Sequence, residues 1–462
     1  MDEELLSSLL LAAASPKLEA YQPQAAAMLL WAAVHSGHTG LAGQFFVAAG
    51  PRLCQRLSEF SLQGLAMVSW AAATTATRKQ ALAGSPEGEA AAQLLAAALP
   101  CIPSRVPGSA PRDLAVTAWA FSGSLEAGQQ RELFDLLASE ATARLQEFDL
   151  QSLAMLLHGI ARSGHPAERL FTSASELAVS NAEKFAAQDL CVLSWSYARS
   201  GHPAAPRVLA ALANPLAANL DALIALELAH VAWTYSRAVA GAEGGKGEGD
   251  RRRLLDKLAD KAARRVGELT NLDMASLAWA FASAGHRSPK LFSVIAAEAT
   301  GRLPSFDPHC MALLAWAFAR DGHASQPLME ALVEAAVPRV EEFGPQGLAM
   351  LLWAVARMQH PADPLFEAAL PTTTARVREF SSQGLAMVLY AFATGSRLPF
   401  RQLCEAATQE ALPNLMPSIS TTSLKVAISA VETAGYTADA LHEAYRRRAV
   451  QHMAASGGSL VG

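Results

Sequence analysis

Phe343-Gly344-Pro345-Gln346-Gly347-Leu348-Ala349-Met350-Leu351-Leu352-Trp353 has two near-copies in the chain, Phe60-Ser61-Leu62-Gln63-Gly64-Leu65-Ala66-Met67-Val68-Ser69-Trp70 and Phe380-Ser381-Ser382-Gln383-Gly384-Leu385-Ala386-Met387-Val388-Leu389-Tyr390. Outward from these segments, the eight tryptophans Trp31, Trp70, Trp119, Trp195, Trp233, Trp279, Trp316 and Trp353 mark one register of a single period. His158 fills the gap after Trp119, and Tyr390 and Ser429 continue the series. The successive intervals are then 39, 49, 39, 37, 38, 46, 37, 37, 37 and 39 residues. Self-similarity at such a period is the signature of a repeat architecture. Positions are counted below from this aromatic, as position 0.

Each unit writes a helix with both ends marked. Ser61, Asp149, Asp307 and Ser381 stand where a side-chain oxygen satisfies the first free amides. Pro23, Pro308 and Pro345 occupy the first helical position, where a missing N–H costs nothing. After the aromatic come Ala-Phe-Ala, as at Ala280-Phe281-Ala282 and Ala317-Phe318-Ala319, and then Gly-His at Gly37-His38, Gly164-His165, Gly201-His202, Gly285-His286 and Gly322-His323. The glycine at +6 fits the left-handed residue that ends a helix. A second helix follows, for example Pro289 to Leu303 or Pro327 to Phe343. The unit is helix A, tight turn, helix B. On helix A the tryptophan shares a face with Ala at −4 and +3, while Leu at −5, Leu or Val at −2 and Phe at +2 lie opposite. A helix apolar on two opposed faces is sandwiched between neighbours, so the tryptophans read as core. Small residues at +1 leave a strip for close approach of a ligand.

The expected fold is an all-α, right-handed α-α superhelical solenoid of about eleven two-helix repeats of 37–39 residues, with helices A on the concave side. It spans residues 21–453. A helix B without its helix A occupies 1–20, so the array begins mid-repeat, as in a fragment of a longer chain. The stretched intervals place flexible insertions near 80–90 and 240–250, and 454–462 read as a disordered tail. Composition agrees. The 462 residues are 51% apolar and 17% charged with net charge −5, which supplies a large core and argues against global disorder. The net acidity is unhelpful to nucleic-acid binding but permits a basic stripe on one face. The five cysteines Cys54, Cys101, Cys191, Cys310 and Cys404 are scattered without a CxxC pair and read as reduced thiols. No apolar run is long enough to span a membrane, and the acidic start Met1-Asp2-Glu3-Glu4 is unlike a signal or transit peptide.

Repeats reading Phe-x-x-Gln-x-Leu-Ala-x-x-x-Trp-Ala-x-Ala-Arg-x-Gly-His resemble octotricopeptide repeats and the related helical repeats of FAST-kinase-like and RAP-type organellar proteins. The resemblance runs from Tyr21 to about Met453, weakest in repeats three, six and eleven. It implies sequence-selective RNA binding in mitochondria or plastids, in the processing, stability or translation of organellar transcripts or rRNA. The RAP domain that ends many such proteins is not recognisable here.

Two sets of residues are candidates for contact with RNA. Position +4 holds Arg162, Arg199, Arg237, Arg320 and Arg357, with His35 in the first repeat. Stacked repeats would align these into a ladder that tracks a phosphate backbone. The plain alternative is arginine offsetting a helix C-terminus. Position −6 holds Ser152, Asp189, Glu227, Asp273 and Cys310, and position −3 holds His230 and Ser276. Their differing hydrogen-bonding types suit the reading of bases, one per repeat, or they are ordinary first-turn variation. Histidines at +7 (His38, His165, His202, His286, His323 and His360) cap helix A, because one per repeat cannot converge on a metal. The basic runs at Arg251 to Arg265 and Arg446 to Arg448 read as solvated faces. Gly241 to Gly249 lacks the Ser or Thr of a phosphate loop. No catalytic residue, metal or cofactor emerges. The expectation is a monomeric, non-enzymatic, non-membrane protein that binds single-stranded RNA on its concave face, alongside other RNA-processing proteins. The alternative is a protein-binding solenoid scaffold.

Overall fold

The period of the sequence translates directly into helices. The computed structural model describes residues 22–78, 85–123, 127–237, 247–396, 398–415, 419–433 and 435–455. Among them every regular element is helical. The first helices of successive repeats are α1 (Pro23–His35), α3 (Leu62–Arg78), α5 (Pro111–Phe121), α7 (Leu150–Ser163), α9 (Ala187–Ser200), α11 (Ala225–Arg237), α13 (Asn271–Ala284), α15 (Pro308–Asp321), α17 (Pro345–Arg357), α19 (Ser382–Gly395) and α22 (Thr421–Thr433). The second helices are α2 (Thr39–Arg56), α4 (Pro86–Ala98), α6 (Ala127–Ala143), α8 (Glu168–Ser180), α10 (Ala205–Asn219), α12 (Glu248–Arg264), α14 (Pro289–Arg302), α16 (Gln326–Ala336), α18 (Asp363–Ala375), the pair α20 (Arg401–Ala406) and α21 (Leu412–Leu415), and α23 (Asp439–Ala455). The chain is an all-α solenoid of two-helix repeats.

Its contacts divide it into two compact units. One comprises residues 1–222 and 240–251, the other 223–239 and 252–462. In the first, the A helices pack in the order α1, α3, α5, α7, α9, with B contacts joining α2 to α4 and α6 through α8 to α10. In the second, the A layer runs α11, α13, α15, α17, α19, α22, and B contacts join α14 to α16 and α18 to α20. The core of each unit lies between its layers. Phe292 of α14 meets Phe318 of α15 at 5.0 Å, and Phe366 of α18 meets Phe392 of α19 at 5.3 Å, both edge to face. In the first unit Phe171 meets Tyr197, whose buried hydroxyl donates to the Phe171 carbonyl at 2.9 Å. Truncating one such ring to alanine costs about 3–5 kcal/mol.

The helix ends follow the marked residues. Ser61 and Ser381 hydroxyls accept from Gly64 and Gly384 amides at 3.2 and 3.1 Å, and Asp149 and Asp307 carboxylates accept from Ser152 and Cys310 amides at 2.7 Å. Gly37, Gly164, Gly201, Gly285 and Gly322 all have φ between 62° and 89°. In repeat nine Gln359 takes this place with φ 53°.

Four expectations shift. The small +1 residues are buried against the neighbouring helix A, not open to a ligand: a Cβ on Gly159 would lie 2.6 Å from the Ala118 carbonyl carbon. The helix expected from Pro327 to Phe343 stops at Ala336 and tightens into a 3-10 turn, Val337–Glu342, where Pro338 has no N–H to continue the ladder. The insertion near 80–90 is half helix, since Ser85 caps α4 and accepts from the Gly88 amide. The one near 240–250 gives way to α12 at Glu248. Residues 79–84, 238–246, 1–20 and 456–462 lie outside the described residues, so the partial first repeat and most of the tail do too.

Candidate functional site

The aromatics at position 0 are not core. Trp31, Trp70, Trp119, Trp195, Trp233, Trp279, Trp316, Trp353, His158 and Tyr390 are all half-buried. The reason is geometric. Helix A is gripped on two flanks by neighbouring A helices and on a third by the B layer. Residues at +1, +2, −1, −2, −4 and −5 fill those contacts, which are close enough for Ala and Gly. Positions −7, −3, 0 and +4 then line up along the one remaining face, because residues three and four apart share a side of a helix.

On that face the rings of adjacent repeats touch. In the first unit Trp31 lies 6.4 Å from Trp70, Trp70 5.9 Å from Trp119, and His158 4.9 Å from Trp195. In the second, Trp279 lies 6.2 Å from Trp316. The +4 side chains cover them. Arg162 sits over Trp119 at 5.6 Å, Arg237 over Trp233 at 5.2 Å, and Arg357 over Trp353 at 5.4 Å, while His35 stacks on Trp31 at 4.6 Å. Guanidinium on an indole face is a favourable cation–π pair. Arg199 and Arg320 are exposed at the same register, and Arg357 also donates to the Ala319 carbonyl at 3.3 Å. All five arginines of the expected ladder therefore belong to this surface, each within its own unit.

The −6 residues do not. Ser152, Asp273 and Cys310 are buried. They occupy the third helical position, where the helix uses them. The Asp273 carboxylate accepts from the Thr270 amide and hydroxyl in a capping box, and the Glu227 carboxylate accepts from the Ile224 amide. Asp189 is half-buried, and burial pushes its carboxyl up, with Asp149 adding to the rise. Of the expected base-reading residues only His230 and Ser276, at −3, lie on the aromatic face. Position −7, not singled out from the sequence, lies there too. It carries Gln24, Gln63, Gln151, Gln188, Gln346 and Gln383, and the Gln24 carboxamide donates to that of Gln63 at 3.1 Å. The Gln of the repeated motif was its visible signal.

A second recurring arginine also escaped the sequence reading, fourteen residues before the aromatic. Arg105, Arg144, Arg265, Arg302, Arg339 and Arg376 reach from the end of helix B to the carbonyls of Phe60, Ser109, Leu223, Leu269, Phe306 and Phe343, which precede helix A of the same repeat, at 2.6–2.9 Å. Four of them, Arg144, Arg265, Arg339 and Arg376, also pair with a glutamate three residues on, as in Arg144–Glu147 and Arg265–Glu268 at 2.6 Å, and these two guanidinium groups hold the Glu147 and Glu268 carboxyls below the usual range. The +7 histidines close a different gap. The backbone amides of His38, His286, His323 and His360 cap helix A, as His286 and His323 do on Phe281 and Phe318, while those of His165 and His202 donate to the Ser163 and Ser200 hydroxyls. Their rings bridge to the preceding helix B: His165 to Asp135 at 3.2 Å, His286 to Asp256 at 2.9 Å, His202 to Thr172 at 3.2 Å.

Among the described residues no group of three His, Cys, Asp or Glu is placed to hold a metal, and no helix is long and apolar enough to cross a membrane. No disulfide joins the cysteines, and burial pushes Cys310 and Cys404 up to about 12.

Residues 249–453, from within α12 into α23, match the family model of the RNA-editing substrate-binding complex 6 protein. No curated protein matches. A solved circular tandem repeat protein with novel repeat topology and enhanced subunit contact surfaces aligns at 14% identity over 98% of each chain with a TM-score of 0.17, too low to carry an argument.

Proposed function

We propose that the chain binds single-stranded RNA along the aromatic–arginine face of helices A, one base to each repeat. One observation carries this reading. Positions −7, −3, 0 and +4 of the first ten repeats make forty residues, all exposed or half-buried, and none is Asp or Glu. The chain has 42 acidic residues in 462, which would put between three and four there by chance. Instead the face holds six arginines (Arg112 and the five at +4) and the histidines His35, His158, His230 and His309. A protein of net charge −5 thus keeps an acid-free, aromatic face on the A helices of each unit. Stacking rings interleaved with cations are what a flexible polyanion with flat bases requires.

The family named for an RNA-editing substrate-binding complex and the octotricopeptide-like motif support the same ligand. They extend the reading to transcripts of an organelle, mitochondrion or plastid, with partner proteins supplying the chemistry and this chain, a monomer, supplying the grip. A protein-binding scaffold is the second reading. It is favoured by Ile224, Leu226 and Leu272, apolar and 57, 45 and 51% exposed around the starts of α11 and α13.

The test is selection from a random single-stranded RNA pool at two salt concentrations. Retention that weakens as salt rises, with roughly tenfold loss or more in a Trp316→Ala/Trp353→Ala double variant, is expected. No retention at low salt moves the protein to the scaffold class. Retention untouched by the double variant removes the aromatic face from the binding surface.

A further inference from the structure

Within the second unit the aromatic face is not uniform. A groove of about 330 Å³ crosses four successive A helices diagonally, from Trp279 of α13 through His309, Leu313 and Trp316 of α15 and Gln346, Gly347 and Met350 of α17 to Gln383, Gly384 and Met387 of α19. That is the low end of the range of about 300–1,000 Å³ for small-molecule sites. Its walls are indole and thioether, its rim is carboxamide and imidazole, and no carboxylate lines it.

Two of the residues lining the groove are glycines. At −6 the other repeats carry Ala25, Gly64, Asp113, Ser152, Asp189, Glu227, Asp273 and Cys310, whereas α17 and α19 carry Gly347 and Gly384. Gly64 is explained by packing, since a Cβ there would meet the Phe60 ring at 3.0 Å. At Gly384 a Cβ would meet the Ser381 hydroxyl at 3.3 Å, whereas on Gly347 it meets nothing closer than Ala312 at 3.5 Å and Phe343 at 3.7 Å. Neither glycine has positive φ. Glycine inside a helix weakens it relative to alanine, and at Gly347 neither backbone conformation nor packing asks for it. A Cβ there would make only ordinary contacts, and the glycine lines the same groove as Trp316.

Resting on the RNA reading above, we propose that this groove is a nucleobase subsite. One base of the bound strand leaves the surface track and inserts between the Trp316 ring and the Met350 and Met387 side chains. The Gln346 and Gln383 carboxamides, each both donor and acceptor, read its edge. A flat, apolar-faced, polar-edged ring is the shape and chemistry of this site, and the strand that carries it is drawn by the same acid-free face on which Arg320 and Arg357 lie.

The experiment titrates the full chain with a labelled random-sequence single-stranded RNA pool and compares Gly347→Leu, which fills the groove, with Gly347→Ala, which adds only a methyl. Gly347→Leu weakens binding about tenfold, the scale of one stacked base, with an unchanged salt slope and a melting temperature no lower than the parent. Gly347→Ala stays near the parent. As a variant that leaves packing alone, Gln346→Ala/Gln383→Ala flattens the base preference at one position of the selected sequences. Parent-like binding by Gly347→Leu together with an unaltered preference in the glutamine variant overturns the subsite while leaving RNA binding standing. A parent protein that retains no RNA overturns the functional reading itself.

Discussion

The molecule carries two ladders of arginine, one at the end of each helix of the repeat, and they are held in opposite ways. At the end of helix B, Arg302, Arg339 and Arg376 spend their guanidinium N–H groups on carbonyls that open the same repeat, 2.8–2.9 Å away, and on carboxylates such as Glu342 and Glu379. At the end of helix A, Arg162, Arg237 and Arg357 set their guanidinium groups 5.2–5.6 Å from indole centroids, with Arg357 adding one bond to the Ala319 carbonyl at 3.3 Å. Identical side chains at equal spacing therefore do unlike jobs, and the nearest unsatisfied acceptor decides which. A helix B terminus lies beside the carbonyls that precede helix A. A helix A terminus lies beside rings.

The difference can be broken from the clamp side first. Arg302→Ala/Arg339→Ala/Arg376→Ala should lower unfolding stability by roughly 1–2 kcal/mol per site, the worth of a charged hydrogen bond to a carbonyl, read as a fall in the denaturant midpoint. The exposed Glu partners add little to this. A triple variant as stable as the parent would falsify the clamp.

A smaller effect, of another kind, is expected on the helix A side. Arg320→Gln/Arg357→Gln should leave stability within about 0.5 kcal/mol. It should also flatten the dependence of RNA affinity on salt by about 0.7 in log–log slope for each phosphate no longer neutralised. An unchanged slope, with affinity intact, would mean these arginines touch no backbone phosphate.

The smallest effect concerns the histidine bridges. His165 is 7% exposed and packs on Phe134 at 6.0 Å. Burial lowers its pKa, partly offset by Asp135, while Arg131 adds to the lowering. A histidine whose folded pKa lies below its unfolded value binds more protons when unfolded. Stability should therefore fall as pH drops below about 6.5. His165→Gln should flatten that fall between neutral and mildly acid pH, and a parent-like pH profile in the variant would dismiss the bridge as a titrating element.

How much of this was legible in the residues differs by level. The A helices could be read almost end to end from their marks, because Asp307, Pro308 and Gly322 act on backbone within a turn of themselves. The Arg ladder at +4 was legible as a register. Its indole partners were not recognised, because Trp beside Ala at −4 and +3 reads equally as a buried face. The −6 residues misled for a related reason. Asp273 and Glu227 look like ligand-facing polar variation, but their first duty is to amides three residues away, a local bond that outcompetes any distant one.

The chain alone determined that this is a tandem array of helix pairs, and where most A helices begin and end, since period, caps and left-handed turns are local properties of sequence. Only the tertiary structure decided which face of helix A stays open. That choice depends on how closely neighbouring helices approach. Ala and Gly at +1 let the A helices close on one another, as Gly159 does against Ala118, and the tryptophan of each repeat that has one is left half-buried on the open face because it cannot enter a gap that narrow.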